Sequence, residues 1–411
     1  MSMLEGAEGA EGAEGAEGAE GAEGAEGAEG ASGIVIGRRT VSPMALTAHR
    51  DGIVGVWTAG GAGASWPTTP LIVGDVANLA RWDARIRCFV FESELLSGLH
   101  FSLDAGVPTL WHVNVTAGSP PTGTWQQFVT MIRPTDPVLK AQLDLVNGWS
   151  DLRGDRAREI VAQMSPQYAF WGSVVPLYRA RHRRTLELLH LVLRLAKYAE
   201  MNFKHALCVR RPHEYSAQVQ PMIQTPIHGS LPSGHSTEAH AVARVLCELV
   251  STSTTAAAAA ELAAAATSAT IAAANVAVAA AQLAKDQLRA LLVKQAARIA
   301  INRTVAGVHY PVDSMAGQML GMSVADYFMA RLKPAGTTTN VGAWGFVGTS
   351  YPGTTDFSGA ELFNTTNDVR NTTAYAAPIT SIVGGVPTPA SATVKGSANL
   401  NWLWAAAVAE W

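Results

Sequence analysis

The feature that most constrains the fold is a long alanine-rich run at residues 255–284, which is followed by leucines at helical spacing. Alanine is the strongest helix former but is only weakly hydrophobic, and polar residues interrupt this run. A membrane span needs about 20 strongly apolar residues, so we expect none here. The pattern predicts one long soluble helix over 256–298, with a break near Thr267–Ser268 as the alternative.

Other segments also have the period of amphipathic helices. Residues 183–203 place Leu186, Leu189 and Val192 on one face, and residues 312–331 carry a methionine stripe that is typical of a protein core. Residues 101–116 alternate weakly, which is compatible with a short strand there. Together these segments predict a mostly α fold, a helical bundle with little strand.

We divide the chain into three parts. Residues 1–33 include nine Glu-Gly-Ala triplets and are predicted to form a flexible acidic arm, because glycine opposes helix and the arm offers little to bury. Residues 34–333 are predicted to form the main α-helical domain. Residues 334–411 are predicted to be an irregular tail, whose tryptophans need cover from the body or from a partner subunit. A homo-oligomer is therefore expected.

Charge and cysteine content narrow the possible partners. Nine of the 33 acidic residues lie in the arm, so the rest of the chain has 24 acidic against 30 basic residues and suits anionic ligands. No basic run with interleaved aromatic residues predicts nucleic-acid binding. The three cysteines fit neither a zinc site nor a disulfide framework, and Cys208 is predicted to be a buried thiol. Because we see no secretory signal or membrane span, no membrane partner is expected, and the cytoplasm is the default while the compartment stays open.

Three short segments concentrate the residues that can carry chemistry: Lys204–Pro212, Pro232–His235 and Arg303–Asp313. Lys204 and Arg211 are seven positions apart, so two helical turns would put both cations on one face. Ser233 and the Gly234 N–H precede an apolar stretch, which places them at a predicted helix N-terminus, where free N–H groups bind anions.

The third segment adds a cation, a histidine and a carboxylate. Arg303 and His309 are about two helical turns apart unless Gly307 breaks the helix, and Asp313 is four positions beyond His309, where it can hold one imidazole nitrogen. Cations, a hydroxyl, a main-chain N–H and two histidines that converge would form a site for a tetrahedral or trigonal-bipyramidal oxyanion.

These segments resemble the Lys-x6-Arg-Pro, Pro-Ser-Gly-His and Arg-x5-His-x3-Asp signatures of the superfamily of type 2 phosphatidic acid phosphatases and vanadium-dependent haloperoxidases. The resemblance covers about a quarter of the chain and implies the helical bundle of that superfamily. It implies an oxyanion pocket formed by Lys204, Arg211, Ser233, Gly234, Arg303 and His309.

The resemblance also implies a role for each catalytic residue. His309 would be the axial ligand of vanadium in a haloperoxidase or the phosphate-accepting nucleophile in a phosphatase. His235 would be the acid/base, Asp313 would orient His309, and Lys204 would polarise bound peroxide. The implied cofactor is vanadate, whose site phosphate can also occupy. The implied partners are hydrogen peroxide, a halide and an organic acceptor.

The signatures alone leave the reaction open. We favour a haloperoxidase, because the lipid phosphatases of the superfamily span membranes and its soluble acid phosphatases are shorter than this chain. His228, seven positions before His235, stands where bromide-oxidising members tend to have histidine, so bromide or iodide is the preferred halide and His228 a candidate pocket residue. Haloperoxidases often have tryptophan three positions before the lysine, where this chain has Met201. The alternatives are a soluble acid phosphatase and a non-catalytic oxyanion-binding member.

Overall fold

The structure is a computed structural model of the chain. It describes residues 71–116, 122–164, 167–359 and 391–411, with five short strand segments outside those ranges. The predicted acidic arm at 1–33 lies outside the described residues.

Helices form the body of the protein. Among the described residues, helix accounts for 62% and strand for 12%, so the predicted mostly α fold is confirmed. The α-helices are α1 (Ala84–Ser97), α2 (Asp136–Ser150), α3 (Arg153–Ala162), α4 (Tyr168–Gly172), α5 (Arg183–Leu207), α6 (Pro212–Tyr215), α7 (Gly234–Ala264), α8 (Ser268–Val305), α9 (Pro311–Arg331) and α10 (Ala398–Val408). Short 3-10 turns lie at Val76–Arg81, Ala217–Val219 and Gly348–Ser350. Within the described part of the chain, no helix combines the length and the hydropathy of a membrane span.

Helix α9 is the centre of the bundle. Almost all of its residues are buried, including the predicted core methionines Met315, Met319 and Met322. A helix that is buried on all sides needs neighbours on all sides, and α5 and α7 supply most of the contacts with α9. This arrangement brings the end of α5 and the starts of α7 and α9 together in one region.

The alanine-rich run forms parts of two helices rather than the single helix that we predicted. Helix α7 begins at Gly234 and ends at Ala264, and α8 runs from Ser268 to Val305. The alternative break is the correct one: Thr267 caps α8 through its hydroxyl, which accepts from the Thr270 N–H. The two helices pack side by side as a hairpin, and its alanine-rich far end is mostly exposed.

Strands are more extensive than the single short strand expected within 101–116. The strands are β1 (Ile34–Ile36), β2 (Arg39–Val41), β3 (Leu99–Asp104), β4 (Val107–Thr116), β5 (Thr122–Ile132), β6 (Thr338–Gly342), β7 (Trp344–Val347), β8 (Phe363–Asn364), β9 (Val369–Arg370), β10 (Ile379–Ser381) and β11 (Ser391–Lys395). Five of them form a sheet in the order β10-β7-β5-β4-β3, in which β7 runs parallel to β5 and the other neighbours are antiparallel. The other pairs are β1 with β2, β6 with β11 and β8 with β9.

We had expected the C-terminal part to be irregular throughout, but its described residues include a paired strand and a helix. Strand β11 pairs with β6, and α10 packs on α5. The last residue, Trp411, stacks on His182 with ring centroids 4.4 Å apart and donates through Nε1 to Thr185 Oγ1 (2.9 Å). The tryptophans of this segment therefore gain their cover from the body of the same chain.

Candidate oxyanion site

Lys204 lies in the last turn of α5. Its Nζ donates to two main-chain oxygens, 3.2 and 3.4 Å away, in the loop before α7. The helix ends at Leu207 because Cys208 adopts a left-handed conformation with φ 48°. Our prediction that Arg211 shares a helical face with Lys204 is therefore wrong, since Arg211 lies beyond the helix. Cys208 is exposed rather than buried.

Arg211 joins the first predicted segment to the third, and to the loop before α7, from its position before α6. Its Nε donates to the His228 main-chain oxygen (3.2 Å), and its Nη1 donates to the Val308 main-chain oxygen (3.0 Å). Nη1 also lies 3.3 Å from His309 Nε2. The turn after α5 thus brings Arg211 into the site, a placement that we had attributed to helical periodicity. Its guanidinium reaches the histidine of the third segment.

Ser233 and Gly234 stand at the N-terminus of α7, as predicted. Ser233 is the N-cap, and its hydroxyl accepts from the Ser236 N–H (3.4 Å). Gly234 is the first helical residue, and a Cβ there would lie 2.9 Å from a carboxylate oxygen of Glu200. Glycine therefore lets a buried carboxylate approach the start of this helix closely.

His309 lies between α8 and α9. Gly307, with φ 79°, separates the two helices, so Arg303 lies in the last turn of α8 and His309 belongs to the connecting turn. The Asp313 Oδ2 atom lies 3.0 Å from His309 Nδ1, and it also accepts from the Tyr310 N–H (3.0 Å). A carboxylate can only accept, so Nδ1 carries a proton, and Arg211 Nη1, which can only donate, faces a lone pair on Nε2. The predicted contact between Asp313 and His309 is confirmed.

His235 and Arg303 meet at a residue that the sequence analysis did not single out. His235 Nε2 lies 3.0 Å from the main-chain oxygen of Gln163, just past the end of α3. Arg303 Nη2 donates to the side-chain oxygen of Gln163 (3.1 Å) and to the main-chain oxygen of Ile160 (2.9 Å). Because a carbonyl oxygen only accepts, His235 carries a proton on Nε2, and Nδ1 is the nitrogen that can exchange one.

The site is buried and rich in cations. Each of the predicted residues Lys204, Arg211, Ser233, His235, Arg303, His309 and Asp313 is at most 3% exposed. The hydrogen bonds described above hold the three cations largely through carbonyl dipoles, which orient a cation without cancelling its charge. Burial, and then the charge of Asp313, raise the pKa of Tyr310, so its hydroxyl stays protonated beside the site.

His228 occupies the outer edge of this cluster. It is half-buried, its Nδ1 lies 3.3 Å from Arg211 Nη2, and the neighbouring Ile227 is fully exposed to solvent. His228 therefore contacts the same guanidinium that reaches His309, from the side nearer to solvent.

Sequence reasoning missed three supporting residues. Ser230 donates to the Asp313 carboxylate and lies 3.3 Å from His309 Nδ1, and its place shortly before the second segment could have suggested a role. Glu200 is four positions before Lys204, which puts it on the same side of α5. Gln163 has no local signal at all, because its partners lie far along the chain.

A separate cavity of about 300 Å³ lies between α1, α5 and α7. Leucines, Tyr198 and the ion-paired side chains of Lys197 and Glu238 line part of it. None of the predicted site residues lines this cavity. The candidate oxyanion site is therefore the buried side-chain cluster, which is separate from the cavity.

Comparison with family models matches residues 186–335 to the PAP2 superfamily. The matched segment runs from α5 past the end of α9 and covers about a third of the chain, so this part of the α-helical body is similar to the PAP2 superfamily. It contains all of the predicted pocket and catalytic residues. Members of this superfamily are generally enzymes, phosphatases or haloperoxidases, and the match does not distinguish the two. No curated protein and no solved structure matched the chain.

Proposed function

We propose that this protein is a vanadium-dependent haloperoxidase that uses hydrogen peroxide to oxidise a halide, with bromide or iodide preferred, to hypohalous acid. The observation that carries the proposal is the buried pair of His309 and Asp313, which leaves the lone pair of His309 Nε2 beside Arg211. An imidazole held in this way is suited to bind the central atom of an oxyanion.

The residues present fit vanadate. His309 Nε2 would be its protein ligand, and Lys204, Arg211 and Arg303 would neutralise its oxygens. Ser233 and the Gly234 N–H would donate to it from the start of α7. When bound, vanadate supplies Lewis-acid activation of hydrogen peroxide.

The chain's own contribution to the reaction is charge and proton control. In the net reaction the halide loses two electrons, the O–O bond of hydrogen peroxide breaks, and one proton is consumed, which gives hypohalous acid and water. His235 would move protons at Nδ1, because its Nε2 proton is held by the Gln163 carbonyl. Lys204 would polarise the bound oxygens, and the hypohalous acid would halogenate an organic acceptor.

A soluble acid phosphatase is the second candidate. The same His309 geometry suits a nucleophile, because Asp313 holds the Nδ1 proton and would stabilise the imidazole when Nε2 forms a bond to phosphorus. The position of His228 beside Arg211 favours halide oxidation, since a histidine there is the feature that the resemblance associates with bromide.

The test is halogenation of monochlorodimedone by the purified full-length protein with bromide and peroxide, before and after addition of orthovanadate. We expect activity only with vanadate, and a loss of at least about hundredfold in His309→Ala, because the central ligand is removed. His205→Ala is the matched control: His205 lies on the last turn of α5 but is exposed, and the variant should keep its activity.

Two other results would contradict the proposal. Hydrolysis of p-nitrophenyl phosphate that vanadate inhibits, without halogenation of any halide, would assign the phosphatase reaction. Thermal stabilisation by vanadate and phosphate without either activity would assign a non-catalytic oxyanion-binding protein.

A further inference from the structure

Helix α3 lies outside the region matched by the PAP2 superfamily model but contacts the last turns of α8 through a row of polar pairs. Arg156 Nη1 donates to Asn302 Oδ1 (3.1 Å), and Glu159 forms an ion pair with Arg298 at 2.6 Å. Gln163, which is the C-cap of α3, is the last member of this row. The row therefore ends at the oxyanion site.

The Gln163 side chain is buried, with 1% exposure of the residue, and its amide has a defined direction. Its Nε2 donates to Glu159 Oε1 (3.2 Å), while its Oε1 accepts from Arg303 Nη2 (3.1 Å) and Asn302 Nδ2 (3.0 Å). The hydrogen bond from Arg298 lowers the pKa of Glu159, so that carboxylate stays ionised and can only accept. This leaves one orientation for the amide, with its oxygen toward Arg303.

The main chain of the same residue contacts the second half of the site. Its carbonyl oxygen lies 3.0 Å from His235 Nε2 and so fixes which ring nitrogen exchanges protons. One residue thus orients a cation of the oxyanion pocket through its side chain and the acid/base histidine through its main chain. A neutral amide orients the guanidinium without neutralising it, which a carboxylate at this place would do.

We propose that Gln163 is a positioning residue of the oxyanion site, supplied by a helix outside the PAP2 region, which acts through Arg303. This inference rests on the proposed oxyanion-binding function but not on the choice between halogenation and phosphate hydrolysis. Loss of the amide frees the guanidinium to move, so the protein binds oxyanions more weakly while its fold is kept.

The experiment is a double-mutant cycle read by isothermal titration of orthovanadate into the purified full-length protein without peroxide. The variants are Gln163→Met, Arg303→Met and the combination of the two. We expect Gln163→Met to raise the vanadate dissociation constant on the order of tenfold, because one hydrogen bond to a charged group is lost. Arg303→Met should raise it further, and adding Gln163→Met to Arg303→Met should change it less than threefold.

Gln318→Met is the matched control. Gln318 is also a fully buried glutamine, and its Nε2 donates to the Gly359 main-chain oxygen (2.9 Å), away from the site. This variant should bind vanadate within about threefold of the unmodified protein, since it loses a neutral hydrogen bond that no pocket residue uses. If Gln163→Met does not fold, Gln163→Asn keeps the amide but shortens the side chain, and its effect should have the same direction.

Each outcome separates the inference from the proposed function. Unmodified protein that binds neither orthovanadate nor inorganic phosphate would overturn the oxyanion function and the role of Gln163 with it. Unmodified protein that binds vanadate, with equal binding by Gln163→Met, would overturn the role of Gln163 alone. Effects of Gln163→Met and Arg303→Met that multiply in the combined variant would show that Gln163 acts independently of Arg303, which also contradicts the inference.

Discussion

At the scale of single residues, His240 contrasts with the histidines of the site. It is fully buried on α7, and its Nδ1 donates to the Ser236 main-chain oxygen (2.7 Å), while Phe357 meets its ring edge-on. Within the described residues its Nε2 has no hydrogen-bond partner. Burial is the main cause that lowers the pKa of His240 from 6.5 to about 4. The structure therefore gives a buried neutral imidazole at this position.

This residue makes stability sensitive to acid. Its pKa is lower in the folded state, so between about pH 6.5 and pH 4 the unfolded chain binds more protons. The contribution of His240 to the free energy of unfolding should therefore be fully present above that range and fall on the order of 3 kcal/mol as pH drops through it. Urea unfolding at pH 7 and pH 5 should show a smaller loss for His240→Leu than for the unmodified protein.

The exposed His205 provides the control for that measurement. His205→Leu should keep the pH dependence of the unmodified protein, because it removes an exposed side chain and leaves the buried His240 in place. Equal pH dependence in the unmodified protein and in His240→Leu would show that His240 is not the cause of the acid sensitivity.

How well each site residue could be predicted depends on how far away its partners lie in the sequence. Asp313 could be paired with His309 from the sequence, because four positions place both at one helix start. Arg211 was assigned to the right site by the wrong geometry, since no periodic pattern reveals that Cys208 turns the chain. Gln163 could not be predicted, because its contacts with His235 and Arg303 span 72 and 140 positions.

At the scale of elements, the turn between α8 and α9 sets the distance between Arg303 and His309. Arg153 from α3 holds this turn: its Nε donates to the Val305 main-chain oxygen (2.8 Å), which is one of the last carbonyls of α8. Gly307 lies beside it, and a Cβ there would be 2.6 Å from Arg153 Nη2. The positive φ and the close approach both require glycine at this position.

Gly307→Ala should lower the free energy of unfolding by about 2–3 kcal/mol, because the left-handed backbone is strained and Arg153 must give up hydrogen bonds. It should also weaken vanadate binding, since Arg303 and His309 flank the turn. Chemical denaturation and vanadate titration check the two effects. Gly336→Ala is the control: its φ is 87°, but a Cβ there meets nothing within 4 Å, so the cost should be about 1 kcal/mol with unchanged binding.

The helices could be predicted more closely than the strands. The sequence placed α9 within one residue of its start, and it marked the break between α7 and α8, because alanine content, threonine caps and apolar spacing are local signals. The five-stranded sheet joins β5 to β7 and β7 to β10, and these pairings depend on segments far apart in the chain. The weak alternation over residues 101–116 gave no sign of which strands would pair.

At the scale of the whole molecule, the C-terminal segment stabilises the helix that carries Lys204. The Glu410 carboxylate accepts from the Arg184 N–H (2.7 Å) and the Thr185 N–H (2.8 Å), so it caps the start of α5. Two charged side chains of the body, Arg87 and Arg184, lie over the ring of Trp402 on α10. The C-terminal segment is thus attached to the start of α5 by Glu410 and to two arginines of the body by Trp402.

Glu410→Ala should lower the free energy of unfolding by about 1–2 kcal/mol, because two N–H groups at the start of α5 lose their acceptor. Thermal or urea unfolding measures the effect. Glu261→Ala, at an exposed position of α7, should change it by less than about 0.5 kcal/mol. Equal stability of the Glu410→Ala variant and the unmodified protein would show that the cap contributes nothing.

The α7–α8 hairpin keeps both of its functional ends, Ser233–His235 and Arg303, on the same side, while its other end projects about 45 Å away over the 31 residues of α7. Matched insertions or deletions in the two helices would change the length of this projection without moving the site. The 67 residues between His235 and Arg303 therefore act as an adjustable spacer. A search for related chains should therefore allow any length between His235 and Arg303. We also expect that a reporter domain fused at the tip of the hairpin would leave the site intact.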